Sequence, residues 1–227
     1  MPNWVYNGLT IEGNAEQINK LVEQMNKPFV DYIESNGDLA FDIKQRKYVN
    51  PIFSFRNIIA PTNLDEYKKQ PWEYANGEVT KTNEDSWYNW NIRNWGVKWD
   101  VAVSEDEKYP ETYMEGPVAN GDNLVVYYNF NTPWGIADEA LTNLSSQYPT
   151  LLFSLSYEEE TGWGGECEYL RGERIDGAEY NWKCRDCDYM EINEPPYCED
   201  CEYDMCPSCG YGEPDEACET HKEKVEA

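Results

Sequence analysis

The sequence predicts an α+β chain, a split βαβ sheet carrying one insertion and followed by a small cysteine-rich module. Two observations carry the prediction. Apolar side chains switch between alternating spacing and helical spacing in the order strand, helix, strand, strand, helix, strand. Seven of the eight cysteines crowd between Cys184 and Cys218, beyond the last of those elements. With 227 residues, 40% of them hydrophobic and 15% aromatic, the chain has enough apolar area for one medium domain. That argues against a disordered acidic chain, in spite of a net charge of -26.

Trp4 to Glu12 reads as a half-buried strand. Asn14 then caps a helix that places Ile18, Leu21, Val22 and Met25 on one face, and Pro28 ends it. Residues 29–85 mix an apolar run at Ile52 to Phe55, a helical stretch from Leu64 to Gln70 and several Pro, Gly and Asn breaks, so they read as an insertion. Trp87 to Trp95 is a helix stopped at Gly96, followed by strands at Lys98 to Val103 and Asn123 to Phe130 with an acidic loop between them. Gly135 to Gln147 is a second amphipathic helix through Ile136, Ala140, Leu141 and Leu144, and Leu151 to Tyr157 is the next strand. A last strand spans Glu166 to Gly172, with Gly162, Gly164 and Gly165 forming the hairpin turn before it. Leaving out the insertion, this order is that of ferredoxin-like domains, in which two helices cover one sheet face. The expected division is a ferredoxin-like domain at 1–175 and a metal-binding module at 180–227.

Three blocks resemble a known family: MPNWVYNGLTIEG at the start, WYNWNIRNWGVKWD from Trp87 to Asp100, and the run from Phe130 to Glu173. Their unusual tryptophan placements are similar to the YubB ferredoxin-like family of phage and plasmid proteins. The resemblance covers about the first 173 residues. It implies a ferredoxin-like fold and residence on mobile elements, and it carries over no catalytic residues.

Cys184-x2-Cys187, Cys198-x2-Cys201, Cys206-x2-Cys209 and Cys218-x2-His221 supply eight ligands in four close pairs, the number that closes two tetrahedral structural zinc sites. Two intervening residues let a tight turn present both side chains to one ion, with Zn–S bonds near about 2.3 Å. The segment WKCRDCDY to PPYCEDC resembles a rubredoxin-type zinc ribbon, and CPSCGYGEPDEACETH repeats it in shortened form. Sequential pairing groups Cys184, Cys187, Cys198 and Cys201 at one ion and Cys206, Cys209, Cys218 and His221 at the other. The stretch CEDCEYDMCPSC is similar to ZZ-type modules, which interleave the pairs. Iron at the first site is the competing assignment, since four thiolates also suit a rubredoxin-like centre.

His221 is the one histidine, so a metal role for it leaves no imidazole for general base work or a Ser-His pair. Glu158, Glu159 and Glu160 read as a solvated strand end, and Cys167 as a packed strand cysteine. Trp87, Trp90, Trp95 and Trp99 serve either as core or as a stack for a base. Residues 158–227 hold 22 acidic and 6 basic side chains, and seven thiolates on two Zn²⁺ make that end more negative still.

Such a surface disfavours duplex nucleic acid and speeds association with basic proteins, toward which it can imitate DNA. No segment approaches a membrane span and the first twenty residues lack a signal-peptide pattern, so a cytoplasmic location in the host cell is expected. The function expected is a non-enzymatic, acidic zinc-binding interaction protein of a phage or mobile element that docks on a basic host protein, by DNA mimicry or in interference with host defence; the alternative is a nucleic-acid- or nucleotide-binding module.

Overall fold

The computed structural model describes residues 3–34, 43–105, 107–108 and 110–180, together with the short backbone pairs 182–183, 190–191, 197–198 and 203–204. β1 (Trp4–Gly13) alternates as expected, with Val5, Leu9 and Ile11 turned into the core. α1 (Ala15–Met25) begins where the Asn14 side chain accepts the Gln17 N–H at 3.0 Å, and it buries Ile18, Leu21 and Met25.

The chain then leaves the sheet through a hairpin, β2 (Phe29–Glu34) and β3 (Ile43–Tyr48), and through α2 (Leu64–Tyr67), a single turn that stops short of Gln70. A second hairpin, β4 (Trp72–Ala75) and β5 (Glu78–Thr82), closes on Asn76 and Gly77. Their φ angles of 55° and 83° are those an Asn-Gly hairpin turn requires. α3 (Trp87–Trp95) ends at Gly96, in the left-handed region at φ 82°.

The second half builds the rest of the sheet: β6 (Tyr113–Asn120), β7 (Asn123–Pro133), α4 (Asp138–Gln147), β8 (Leu152–Glu159), β9 (Gly164–Leu170) and β10 (Glu173–Tyr180). All neighbours are antiparallel in the order β10-β9-β8-β1-β7-β6. The four strands β8-β1-β7-β6, with α1 and α4 on one face, form the ferredoxin-like arrangement, and β9 and β10 extend it. Beyond the sheet, β11 (Trp182–Lys183) pairs with β12 (Met190–Glu191), and β13 (Tyr197–Cys198) with β14 (Tyr203–Asp204).

One expected strand is replaced by another. Lys98 to Val103 forms no strand, and β6 lies inside what reads as an acidic loop. The reason is position. β6 is an edge strand, exposed along most of its length and bulged between Glu115 and Val118 at Pro117, so it has neither the apolar alternation nor the full ladder of an inner strand. The 98–103 segment looks like a strand because Val97, Val101 and Val103 are buried, but its backbone is organised by Asp100. That carboxylate accepts hydrogen bonds from Ser54 Oγ at 2.6 Å, from the Phe55 N–H at 2.7 Å and from the Val101 N–H at 2.8 Å. Gly164 and Gly165 also differ from expectation, lying within β9, where added Cβ atoms would strike Tyr157 and the β10 backbone.

The residues read as an insertion do not stand apart from the core. Phe53 and Phe55 are fully buried, and Phe53 stacks on Phe130 of β7 with centroids 5.2 Å apart and planes 6° from parallel. Trp95 closes the same cluster, its indole donating to the Ile59 carbonyl at 3.0 Å. Burial raises the pKa of the Tyr128, Tyr157 and Tyr169 hydroxyls above the ordinary tyrosine value. A group raised in this way contributes its full stability below the unfolded value, about 10, and loses it as pH climbs toward the folded value. The last part of the tyrosinate absorbance, contributed by these three hydroxyls, is therefore expected to appear above pH about 10 only together with loss of near-ultraviolet circular dichroism. Tyrosinate forming fully while the dichroism stayed native would show these hydroxyls to be accessible.

Candidate functional site

The helices cover one face of the sheet and leave the other open. On the open face the antiparallel register lines up rows of side chains across the strands. Glu158, Tyr6 and Asn131 stand side by side in one row, Glu166, Ser156, Gly8, Asn129 and Tyr113 in the next, and Glu168, Ser154, Thr10, Tyr127 and Glu115 in the third. Small residues at the centre and large ones at the flanks make the face concave. A cavity of about 800 Å³ results, walled by Tyr6, Tyr113 and Tyr180 and floored by Gly8 and Ser156. An added Cβ at Gly8 would lie 3.0 Å from Ser156 Oγ, so the floor depends on glycine.

Tyr6, Tyr113 and Tyr127 are 51%, 55% and 40% exposed, a large aromatic area to leave in water. Carboxylates accompany them. Glu111, Glu158 and Glu166 line the cavity, and among the described residues that line it none is Lys or Arg. Tyr180 donates to Glu158 Oε2 at 3.4 Å, which fixes one wall. A smaller recess of about 360 Å³, lined by Trp4, Trp99, Glu107 and Thr112, continues from the first by sharing Glu111 and Asn131. Aromatic faces beside carboxylates suit a cationic group, which the rings attract through their quadrupoles and the carboxylates through charge.

Residues 116–200 match a family model described as a ferredoxin-like domain in Api92-like protein. The match takes in most of β6, all of β7 to β10, the first cysteine pair and Cys198. The crystal structure of a protein api92 from Yersinia pseudotuberculosis is similar at 11% identity, with 81% of this chain and 100% of that chain covered and a TM-score of 0.43. Among curated proteins none matches. The match with the Api92-like domain begins and ends later than the resemblance read from the sequence, which stops near Glu173.

The expected metal ligands Cys184, Cys187, Cys201, Cys206, Cys209, Cys218 and His221 lie outside the described residues, and for Cys198 the backbone alone is described. In sequence, Cys184 and Cys187 fall between the paired strands β11 and β12, and Cys201 between β13 and β14, with Cys198 itself paired to Tyr203. Among the described residues no group of three or more His, Cys, Asp or Glu side chains could hold a metal ion, and no helix is long and apolar enough to cross a membrane.

The acidic run at the end of β8 is not uniformly solvated. Glu158 lines the cavity, whereas Glu159 is 2% exposed and accepts the Thr161 N–H at 2.7 Å, holding the turn into β9. Cys167 is buried among core residues, as expected of a packed strand cysteine. The tryptophans divide: Trp95 is core, Trp90 packs against it, and Trp99 is 38% exposed. The cavity tyrosines escaped notice in the sequence. A usable signal exists in β1, where Tyr6, Gly8 and Thr10 alternate with Val5, Asn7, Leu9 and Ile11 and so share the face away from the core.

Proposed function

We infer that this chain is a non-enzymatic, acidic interaction protein of a phage or plasmid, of the YubB-like kind, that docks on a basic surface of a host protein. Its open sheet face receives the basic segment, and its C-terminal module binds two zinc ions through Cys184, Cys187, Cys198 and Cys201 and through Cys206, Cys209, Cys218 and His221. Iron at the first site is the alternative metal. The observation that carries this reading is the tyrosine-walled cavity, whose lining, among the described residues, includes carboxylates and neither Lys nor Arg. A net charge of -26 adds long-range attraction for basic partners. The division into residues 1–175 and 180–227 and the cytoplasmic location belong to the same reading.

The residues suit docking better than turnover. Among the described residues there is no imidazole, since the one histidine, His221, lies outside them. Tyr6, Tyr113 and Tyr127 offer flat contact area at low entropic cost, and Glu111 and Glu166 offer carboxylate acceptors for a guanidinium or ammonium.

A second reading, a nucleic-acid- or nucleotide-binding module, draws on the same exposed tyrosines, because ferredoxin-like sheets can stack bases on such rings. The carboxylates between them oppose it by repelling phosphate. Titrating the full chain with a short arginine-rich peptide, an acidic peptide of equal length and single-stranded oligonucleotides separates the two. The basic peptide is expected to bind, to weaken as salt rises, and to lose about tenfold in affinity in Tyr6→Ala or Glu166→Lys. Oligonucleotide binding without basic-peptide binding would replace the first reading with the second.

A further inference from the structure

Lys98 occupies an unusual place for a lysine in a chain with 44 carboxylate side chains. Its ammonium lies 4.5 Å from the centroid of the Trp99 ring, 5.5 Å from Trp134, 5.6 Å from Trp87 and 5.8 Å from Tyr88. These rings come from the start of α3, the segment after it and the connection between β7 and α4. The segment is anchored where Asn91 Nδ2 donates to the Lys98 carbonyl at 2.8 Å. Trp134 is held at φ 62°, a conformation seldom adopted by a bulky residue, with its N–H bonded to the Asn3 carbonyl at 2.9 Å. Trp99 and Trp134 also contact each other, at 6.0 Å between centroids.

The chemistry inside this cage does not match an ammonium well. A lysine head carries three N–H donors. Among the described residues no carboxylate lies within ion-pair distance of Lys98 Nζ, and no acceptor hydrogen-bonds to it. Ring faces attract positive charge but satisfy N–H groups poorly. A quaternary ammonium has the charge and lacks the donors, so it gives up no N–H hydrogen bonds when it leaves water for four π faces. The outer walls are open to it, since Trp99 is 38% and Trp134 52% exposed.

We propose that Trp87, Tyr88, Trp99 and Trp134 form a binding site for a quaternary ammonium group, which Lys98 fills until such a ligand displaces it. The site stands on its own ring geometry and does not depend on the tyrosine-walled cavity. Lys98 on its flexible stem is an internal competitor, which keeps the rings out of contact with ordinary lysines and lets a weakly hydrated cation in.

The test is a titration of the full chain and of Lys98→Ala with tetramethylammonium, with ammonium at equal ionic strength as the comparison. Tryptophan fluorescence and the indole N–H resonances report occupancy. Lys98→Ala is expected to bind tetramethylammonium about tenfold more tightly than the unaltered chain and to prefer it to ammonium, and Trp99→Ala in the Lys98→Ala background is expected to abolish binding. A trimethyl-lysine peptide and phosphocholine, added in separate arms, show whether the group is presented by a protein or by a lipid headgroup. Equal responses to the two cations, or no saturable response in Lys98→Ala with native near-ultraviolet dichroism, would overturn the proposal. Should Lys98→Ala lose that dichroism, the unaltered chain decides: saturable indole shifts with tetramethylammonium and none with ammonium support the site, and their absence overturns it.

Discussion

A strong chelator is expected to collapse the amide dispersion of the segment from Cys184 to His221 and to leave the six-stranded sheet folded. The proposed zinc ions would account for nearly all of that segment's stability. Between Cys184 and Ala227 the larger aliphatic side chains are Met190, Ile192, Met205 and Val225, too few for a core. Binding free energies for structural zinc of about 10–16 kcal/mol are then folding free energies. Cys184→Ser separates the pairing schemes. With sequential sites it releases one zinc and leaves the resonances of Cys206, Cys209, Cys218 and His221 undisturbed, whereas interleaved sites would shift Cys206 and Cys209 at once. Zinc analysis is expected to give two ions per chain. A red sample absorbing in the visible would assign iron to the first site, and unchanged dispersion after chelation would end the metal proposal.

Phe53→Ala is expected to destabilise the sheet domain by about 3–5 kcal/mol, read as a lowered urea midpoint with an unchanged slope. Phe53 is fully buried, with Tyr128 at 4.7 Å, Phe130 at 5.2 Å and Phe55 at 6.0 Å between ring centroids. Truncation removes the transfer free energy of the ring and leaves a void among rings held by strands that cannot collapse onto it. Phe53→Leu keeps much of the volume and is expected to cost about 1–2 kcal/mol. A loss below about 1 kcal/mol for Phe53→Ala would mean that residues 29–85 pack independently of the sheet, contrary to the burial seen here.

Periodicity in the chain was enough to place β1, α1, α3, α4 and β8, because each buries one regular stripe and the stripe repeats in sequence as it does in space. Asn14 and Gly96 marked helix ends for local reasons, a side chain that accepts an N–H and a backbone free to turn left-handed. The four Cys and His pairs are likewise a local signal, since ligand spacing along the chain is what a tetrahedral ion demands. Strand β6 escaped because an edge strand packs one side against a neighbour and turns the rest to water, which erases the alternation. The burial of Phe53 and the knot around Asp100 depend on residues more than forty positions apart in sequence. The concave face and the ring of aromatics around Lys98 depend on register and chain crossing. Tyr6, Tyr113 and Glu166 become neighbours only when antiparallel pairing brings distant strands together, and no local pattern encodes that distance.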